Sequence, residues 1–263
     1  MRRQRQFRAA LVDSHVHLDV AAFDADRSDV IARARAAEVG SMVIPSILRR
    51  DWPRVRDTAA TERRLHAAFG IHPCFLDEHE QEDIAELAAW LGREVAVAIG
   101  ECGLDYRPDY KAGRERQQFF FGAQLALARE FSLPVIVHAV KAVGDAMRLV
   151  RESGVSRGVF HSFGGSAEEA RQLVELGFHI GVGGVVTRKN ARRLRETVAT
   201  VPLESLLLET DAPWQPPGND WSARNEPARI REVLAAIAAI REEPERRIAA
   251  ATTRNAKALF ALG

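Results

Sequence analysis

Cysteine is scarce in this chain: Cys74 and Cys102 are the only two among 263 residues. Two thiols cannot build a disulfide framework, and such usage suits a reducing, cytoplasmic compartment. An excess of charge of either sign is missing as well. With 37 Lys and Arg against 36 Asp and Glu, the formal net charge is +1. The molecule as a whole is therefore no polyelectrolyte clamp for nucleic acid, and any phosphate-binding charge must be local. No apolar run approaches the roughly 18 residues of a membrane span. There is no GxGxxG fingerprint and no phosphate loop, which disfavours an open doubly wound sheet built around a nucleotide. Met1 to Ala10 carries four arginines with no apolar segment behind them, so a secretory signal is not expected and the stretch reads as a flexible basic arm.

What is present is a repeated pattern of hydrophobicity without a repeated sequence. At 46% hydrophobic and 28% charged composition, residues 1–263 read as one globular domain. A length near 250 residues is also that of a single (β/α)₈ barrel. Short apolar runs fall at Leu11 to Val16, Ser41 to Ile47, Ala67 to Ile71, Val95 to Ile99, Pro134 to Val137, Gly158 to Phe160, His179 to Val182 and Leu206 to Leu208. Between them lie stretches with helical spacing. The clearest is Arg114 to Phe131, with Phe121, Leu125 and Ala128 on one face. Ser166 and Glu169 form a capping box and Gly177 a stop, Asp51 precedes Pro53 at another helix start, and Pro227 opens a helix ending near Ile240. Strands alternating with helices imply a parallel sheet, and eight such units most simply close into a TIM barrel.

Metal-capable side chains follow these apolar runs. A parallel barrel presents its chemistry at the C-terminal ends of its strands, so one ligand per strand end gathers them on one face. In Asp13-Ser14-His15-Val16-His17 the two histidines are two apart, point the same way along a strand and can hold one ion together. Alone, the pair is equally compatible with two unrelated histidines. Glu101 lies in Gly100-Glu101-Cys102-Gly103, where a carboxylate has little reason to be buried without a cation. It can offer one oxygen to each of two ions. Cys102 should face the opposite side as a packing residue, and Asp105 reads as a loop residue. His138 and His161 end strictly apolar strands, and Asp211, two residues beyond Glu209, is the better ligand because it lies further out. Glu209 is expected to support the site from behind.

The motifs DSHVHLD, GIHP, IGECGLDY, PVIVHA, FHSFGGS, IGVGGVVT, LLLETDAPW and RNEP, running in order from Val12 to Pro227, resemble those of the TatD family of metal-dependent deoxyribonucleases in the amidohydrolase superfamily. IGVGGVVT and the leucine run before ETDAP are most similar to the YjjV-type branch. The resemblance implies a TIM barrel with two divalent ions: His15, His17 and Asp211 on one, His138 and His161 on the other, Glu101 between them, and His72 near the substrate phosphate. One departure is visible. Val140 stands where the family commonly has an arginine, and Lys141 would have to substitute with a point charge.

The expected chemistry is hydrolysis by water activated between two divalent ions, with Asp211 accepting the proton. Imidazole and carboxylate ligands suit magnesium, manganese, zinc or cobalt alike. Gly164, Gly165 and Ser166 offer a phosphate perch before a helix, Lys141, Arg188, Lys189 and Arg224 a backbone track, and Trp214, Trp221 and Phe163 either a base-stacking surface or a hydrophobic rim. Gly181, Gly183 and Gly184 read as clearing space for substrate. Three functions compete. The leading one is a 3′-5′ exonuclease acting on DNA that is single-stranded or at 3′ ends, with no obligate protein partner. The second is a hydrolase of a small C–N or ester substrate, which on this scaffold often bridges its metals with a modified lysine where this chain has Glu101. The third is a non-catalytic metal-binding interaction protein.

Overall fold

Each apolar run pairs in parallel with its successor. The computed structural model describes residues 10–110 and 112–263, so the basic arm lies, apart from Ala10, outside the described residues. The strands are β1 (Leu11–Asp13), β2 (Val39–Pro45), β3 (Leu65–Phe69), β4 (Ala98–Asp105), β5 (Val135–Val140), β6 (Gly158–Phe160), β7 (Phe178–Val182) and β8 (Leu206–Leu208). Their spatial order is their chain order, all parallel. At the mouth, Ser14 N–H donates to Leu208 O, Asp211 N–H to His15 O and His17 N–H to Ala212 O, each at 2.9 Å. These bonds join the two end strands and bring the ring nearly to closure. Helices α1 (Arg27–Ala36), α2 (Trp52–Ala60), α3 (Asp83–Leu91), α4 (Arg114–Glu130), α5 (Val143–Ser153), α6 (Ala167–Glu175), α7 (Arg192–Thr200), α8 (Ile230–Arg241) and α9 (Glu245–Phe260) cover the outside. None of the described helices is long and apolar enough to cross a membrane, and both cysteines are free.

The two-residue period of a strand explains how the barrel separates packing from chemistry. Val12, Val43, Ala68, Ala98, Ile136, Val159 and Leu207 form one cluster with Ala256, Leu259, Phe260 and Leu262 of the C-terminal segment. One side chain from each of seven strands thus fills the lumen, and the end of α9 closes it from below. Burying Phe260 there contributes on the order of 2 kcal/mol. Two positions further along three of these strands stand His138 above Ile136, His161 above Val159 and Glu209 above Leu207. The polar layer of the site therefore rests on an apolar floor of the same parity.

Helix signals fall where the sequence places them. Ser166 and Glu169 make the full capping box of α6, and Gly177 adopts a positive φ of 88°. Asp51 precedes α2 without a side-chain cap bond. β4 is the main displacement. Expected at Val95 to Ile99, it begins at Ala98 and runs to Asp105, while Val95 is 89% exposed. The register to β5 shifts between Ile99 and Cys102, so Glu101 sits within the strand at an irregularity. Gly103, at φ 136°, is obligatory here, because a Cβ would lie 2.0 Å from His138 O.

Candidate metal centre

Glu101 is the hub. Its Oε1 lies 2.7 Å from His161 Nε2, 2.9 Å from His138 Nδ1 and 3.0 Å from His72 Nε2. Its Oε2 lies 3.2 Å from His15 Nε2 and 3.5 Å from His17 Nε2. Asp211 Oδ1 joins the second group, 3.6 Å from His15 Nε2 and 3.5 Å from His17 Nε2. The two oxygens of one carboxylate thus face two separate foci. His15 and His161 connect the foci, their rings stacked at 3.9 Å with planes 11° apart. All six residues are buried.

Several of these contacts suit a cation better than hydrogen bonds. His15 Nε2 and His17 Nε2 approach to 3.0 Å, and His138 Nδ1 and His161 Nε2 to 3.2 Å. Two ring nitrogens aimed at one point share at most one proton, whereas a metal ion accepts lone pairs from both. The side chains of His15, His17 and Asp211, and of His15, Glu101 and His161, each bring donor atoms close enough to hold one ion. Charge points the same way. Burial opposes ionisation of Glu101, yet His161, His72 and His15 outweigh it and hold its pKa well below the ordinary value. Burial likewise opposes protonation of His17, but its bonds to Asp211 and Glu101 raise it to about 10. Two ionised carboxylates inside the barrel require positive charge at these foci, and a divalent cation supplies it from the point where the lone pairs converge.

His72 behaves differently. Its Nδ1 accepts the Cys74 N–H at 3.1 Å, so in the neutral ring the proton sits on Nε2 and is donated to Glu101. This makes it a donor beside the foci, consistent with a place near a bound anion. His138 is oriented by Asp105, whose Oδ2 lies 2.9 Å from Nε2, leaving Nδ1 for the Glu101 side. Asp105 also accepts from the Nε of Arg107 at 2.9 Å and from its backbone N–H at 3.0 Å. Asp105 does hold its loop as expected, but bracing His138 was not expected of it. Arg107 was missed altogether, although it lines the cleft above the foci. Replacing Asp105 with asparagine should weaken divalent-metal affinity by about 10- to 100-fold, the usual cost of losing a carboxylate behind a ligating histidine. Competition with a chromophoric chelator measures this, and an unchanged affinity would show that Asp105 serves the loop alone.

Glu209 lies behind His161, its Oε1 3.8 Å from Nδ1 and accepting the Ser162 N–H. Burial pushes its carboxyl up to about 8. Gly181 makes room for it, since a Cβ there would meet Glu209 Oε2 at 2.4 Å, and a Cβ on Gly184 would meet Gln215 O at 2.2 Å. These glycines clear space for the protein's own groups and not for substrate. Asp13, buried and left as an unassigned part of the first motif, accepts from the Thr210 hydroxyl at 2.6 Å and from the Thr210 N–H at 3.0 Å. It thereby ties the β1 end to the segment bearing Asp211.

The cleft above the foci encloses about 630 Å³, with His72, Arg107, Tyr110, Val140, Trp214 and Trp221 in its wall. Trp214 and Trp221 are 46% and 65% exposed, whereas Phe163 is buried. Two residues of the expected track are otherwise engaged. Arg188 is buried, donates to Gly218 O at 2.8 Å and Pro216 O at 3.0 Å, and lies 3.0 Å from the centre of the Trp221 ring. Arg224 pairs with Asp26 at 2.7 Å and Glu226 at 2.9 Å. Lys141, at φ 54°, lines a neighbouring hollow together with Gly164 and Gly165, and not the metal cleft.

The family profile described as "TatD related DNase" matches residues 12–261. The chain is 38% identical over 252 residues to "Uncharacterized metal-dependent hydrolase YabD" of Bacillus subtilis (strain 168), covering 95% of this chain and 98% of that protein. It is 34% identical over 264 residues to "3'-5' ssDNA/RNA exonuclease TatD" of Klebsiella pneumoniae (strain 342), covering 96% and 98%. The crystal structure of YjjV, a TatD homologue from Escherichia coli K12, superposes with a TM-score of 0.92 at 35% identity, covering 97% of this chain and 99% of that one.

Proposed function

Because the chain belongs to the TatD-related DNase family and is a metal-dependent hydrolase, we propose that it cleaves phosphodiester bonds of DNA, removing nucleotides from the 3′ end of single strands. The observation that carries this reading is the arrangement of Glu101, whose two oxygens face separate clusters of imidazole nitrogen. Such a bridge suits two divalent cations, one held by His15, His17 and Asp211 and the other by His138 and His161, with magnesium, manganese, zinc and cobalt all compatible with the donors. Bound there, the ions would acidify water and neutralise charge gathering on a phosphoryl group.

The chain's own groups then take distinct roles. Asp211 Oδ1 faces the His15 and His17 focus and is placed to accept a proton from the attacking water. The His72 Nε2–H is placed to donate to a phosphoryl oxygen. Arg107, held in the cleft wall by Asp105, supplies fixed positive charge on the side where Val140 supplies none. Trp214 and Trp221 offer exposed ring faces to a terminal base. The relative from Klebsiella pneumoniae, named as a 3′-5′ exonuclease on single-stranded DNA and RNA, supports this choice of substrate.

Metal-loaded protein incubated with 3′-labelled single-stranded DNA is expected to release label, and excess chelator to abolish the release. A panel of lactones and dipeptides run alongside tests the competing hydrolase. Turnover confined to those small substrates would sink the nuclease reading.

A further inference from the structure

The metal cleft does not end at the foci. Two further hollows open from it, one of about 510 Å³ at the start of α7 and one of about 570 Å³ against the start of α5. Ser162, directly after the site residue His161, lines the cleft and both hollows. Arg193 stands in the walls of the two outer hollows. Arg192 and Asn190 line the first hollow, and Lys141 and Arg114 the second.

The charge of this surface is unlike that of the cleft. The cleft is walled by Asp51, Glu101 and Asp211, and the first outer hollow contains no acidic residue. In the second, Glu169 is committed to the capping box of α6 and Asp145 accepts from the Tyr106 hydroxyl at 2.9 Å. Arg192, Arg193 and Lys141 are exposed and form no ion pair among the described residues. Many other arginines on this surface are paired, among them Arg27, Arg33, Arg56, Arg148 and Arg229. Unpaired cations that converge on a path into an active cleft remain available to a ligand's anionic groups.

We propose that this path is a binding groove for the phosphates of a single-stranded polynucleotide, on the 5′ side of the nucleotide being removed. This rests on the phosphodiesterase reading for its direction. A terminal nucleotide on the Trp214 and Trp221 side places its linkage at the foci, and the rest of the strand leaves across Ser162 towards Arg193. A small diester or a dinucleotide fills the cleft and never reaches the groove. The groove therefore makes the protein a reader of strand length, with no preference for sequence, because the cations contact only backbone.

The test is binding of a short fluorescein-labelled phosphorothioate oligothymidylate, which resists cleavage, to the metal-loaded protein, followed by anisotropy across a salt series. Arg192→Gln with Arg193→Gln should weaken binding about tenfold near 0.1 M salt and flatten the slope of log K against log salt by about one, since each phosphate contact on a single strand contributes roughly 0.7. Arg192→Lys with Arg193→Lys should restore most of both. Arg63→Gln with Arg64→Gln makes the same charge change at the hollow beside Ala10, Val12 and Lys257 and should alter neither. Equal losses in the two glutamine doubles, or unaltered binding by Arg192→Gln with Arg193→Gln, would overturn the groove. Binding through the groove without cleavage of the ordinary phosphodiester strand would sustain the groove and sink the nuclease reading instead.

Discussion

Glu101→Gln is expected to lower hydrolysis by two to four powers of ten and to strip metal from the protein. Glutamine keeps the shape of the side chain but replaces one carboxylate oxygen with an NH₂ group, which can only donate. Whichever way the amide turns, that donor meets imidazole nitrogens that lie within 3.0 Å of Oε1 or 3.5 Å of Oε2. The buried charge that balances cations at both foci is lost with it. Leaving a buried charge without its partner costs about 3–5 kcal/mol, and each 1.36 kcal/mol is tenfold. The effect should be on both foci at once, because one carboxylate serves both. Metal content after dialysis, by mass spectrometry, and initial rates on single-stranded DNA would measure it, with circular dichroism confirming the barrel. A variant that keeps its full metal content and works within tenfold of the unaltered protein would remove Glu101 from the centre of the mechanism.

The parts of this site that were legible in the sequence are those a single strand specifies. His15 and His17 share a face because they are two apart, and His138 and His161 surmount lumen residues of the same parity. The eight strands were visible because apolar runs recur between helical stretches. What escaped depends on contacts between distant segments. Asp105 looks like a loop residue until β4 and β5 pair and set its carboxylate 2.9 Å from His138. The late start of β4 follows from an irregularity at Gly100 and Glu101 that no local period encodes. Arg188 and Arg224 read as free cations because their partners, the carbonyls of Pro216 and Gly218 and the carboxylates of Asp26 and Glu226, come from elsewhere in the chain or from a turn. Gly181 looked like room for substrate because its neighbour Glu209 belongs to the next strand. The bracing contacts of Asp105 and Arg107 carry one available signal: an acidic residue and an arginine two apart at the end of a strand that already bears a ligand.

Asp211→Asn should separate the two duties assigned to that carboxylate. Asp211 has a φ of 55°, a conformation asparagine adopts more readily than most residues, so the backbone can stay in place. Its Oδ1 faces His15 and His17, and its Oδ2 accepts from Gln215 Nε2. Asparagine can still present an oxygen to the first focus but cannot take up a proton. If Asp211 is the base, kcat should fall by about 10²–10⁴, with KM and metal content changing little. The residual rate should then climb in proportion to hydroxide concentration, because solvent has to do the work of the missing carboxylate. If Asp211 only ligates, one equivalent of metal should leave and added metal should restore the rate. A kcat within tenfold of the unaltered protein, at unaltered metal content, would exclude both roles and move the search for the base to Glu209, the other carboxylate of the β8 end. Its elevated pKa of about 8 reflects a group that burial keeps protonated at neutral pH, and a protonated carboxyl cannot accept the proton. For this reason the larger effect is assigned to Asp211.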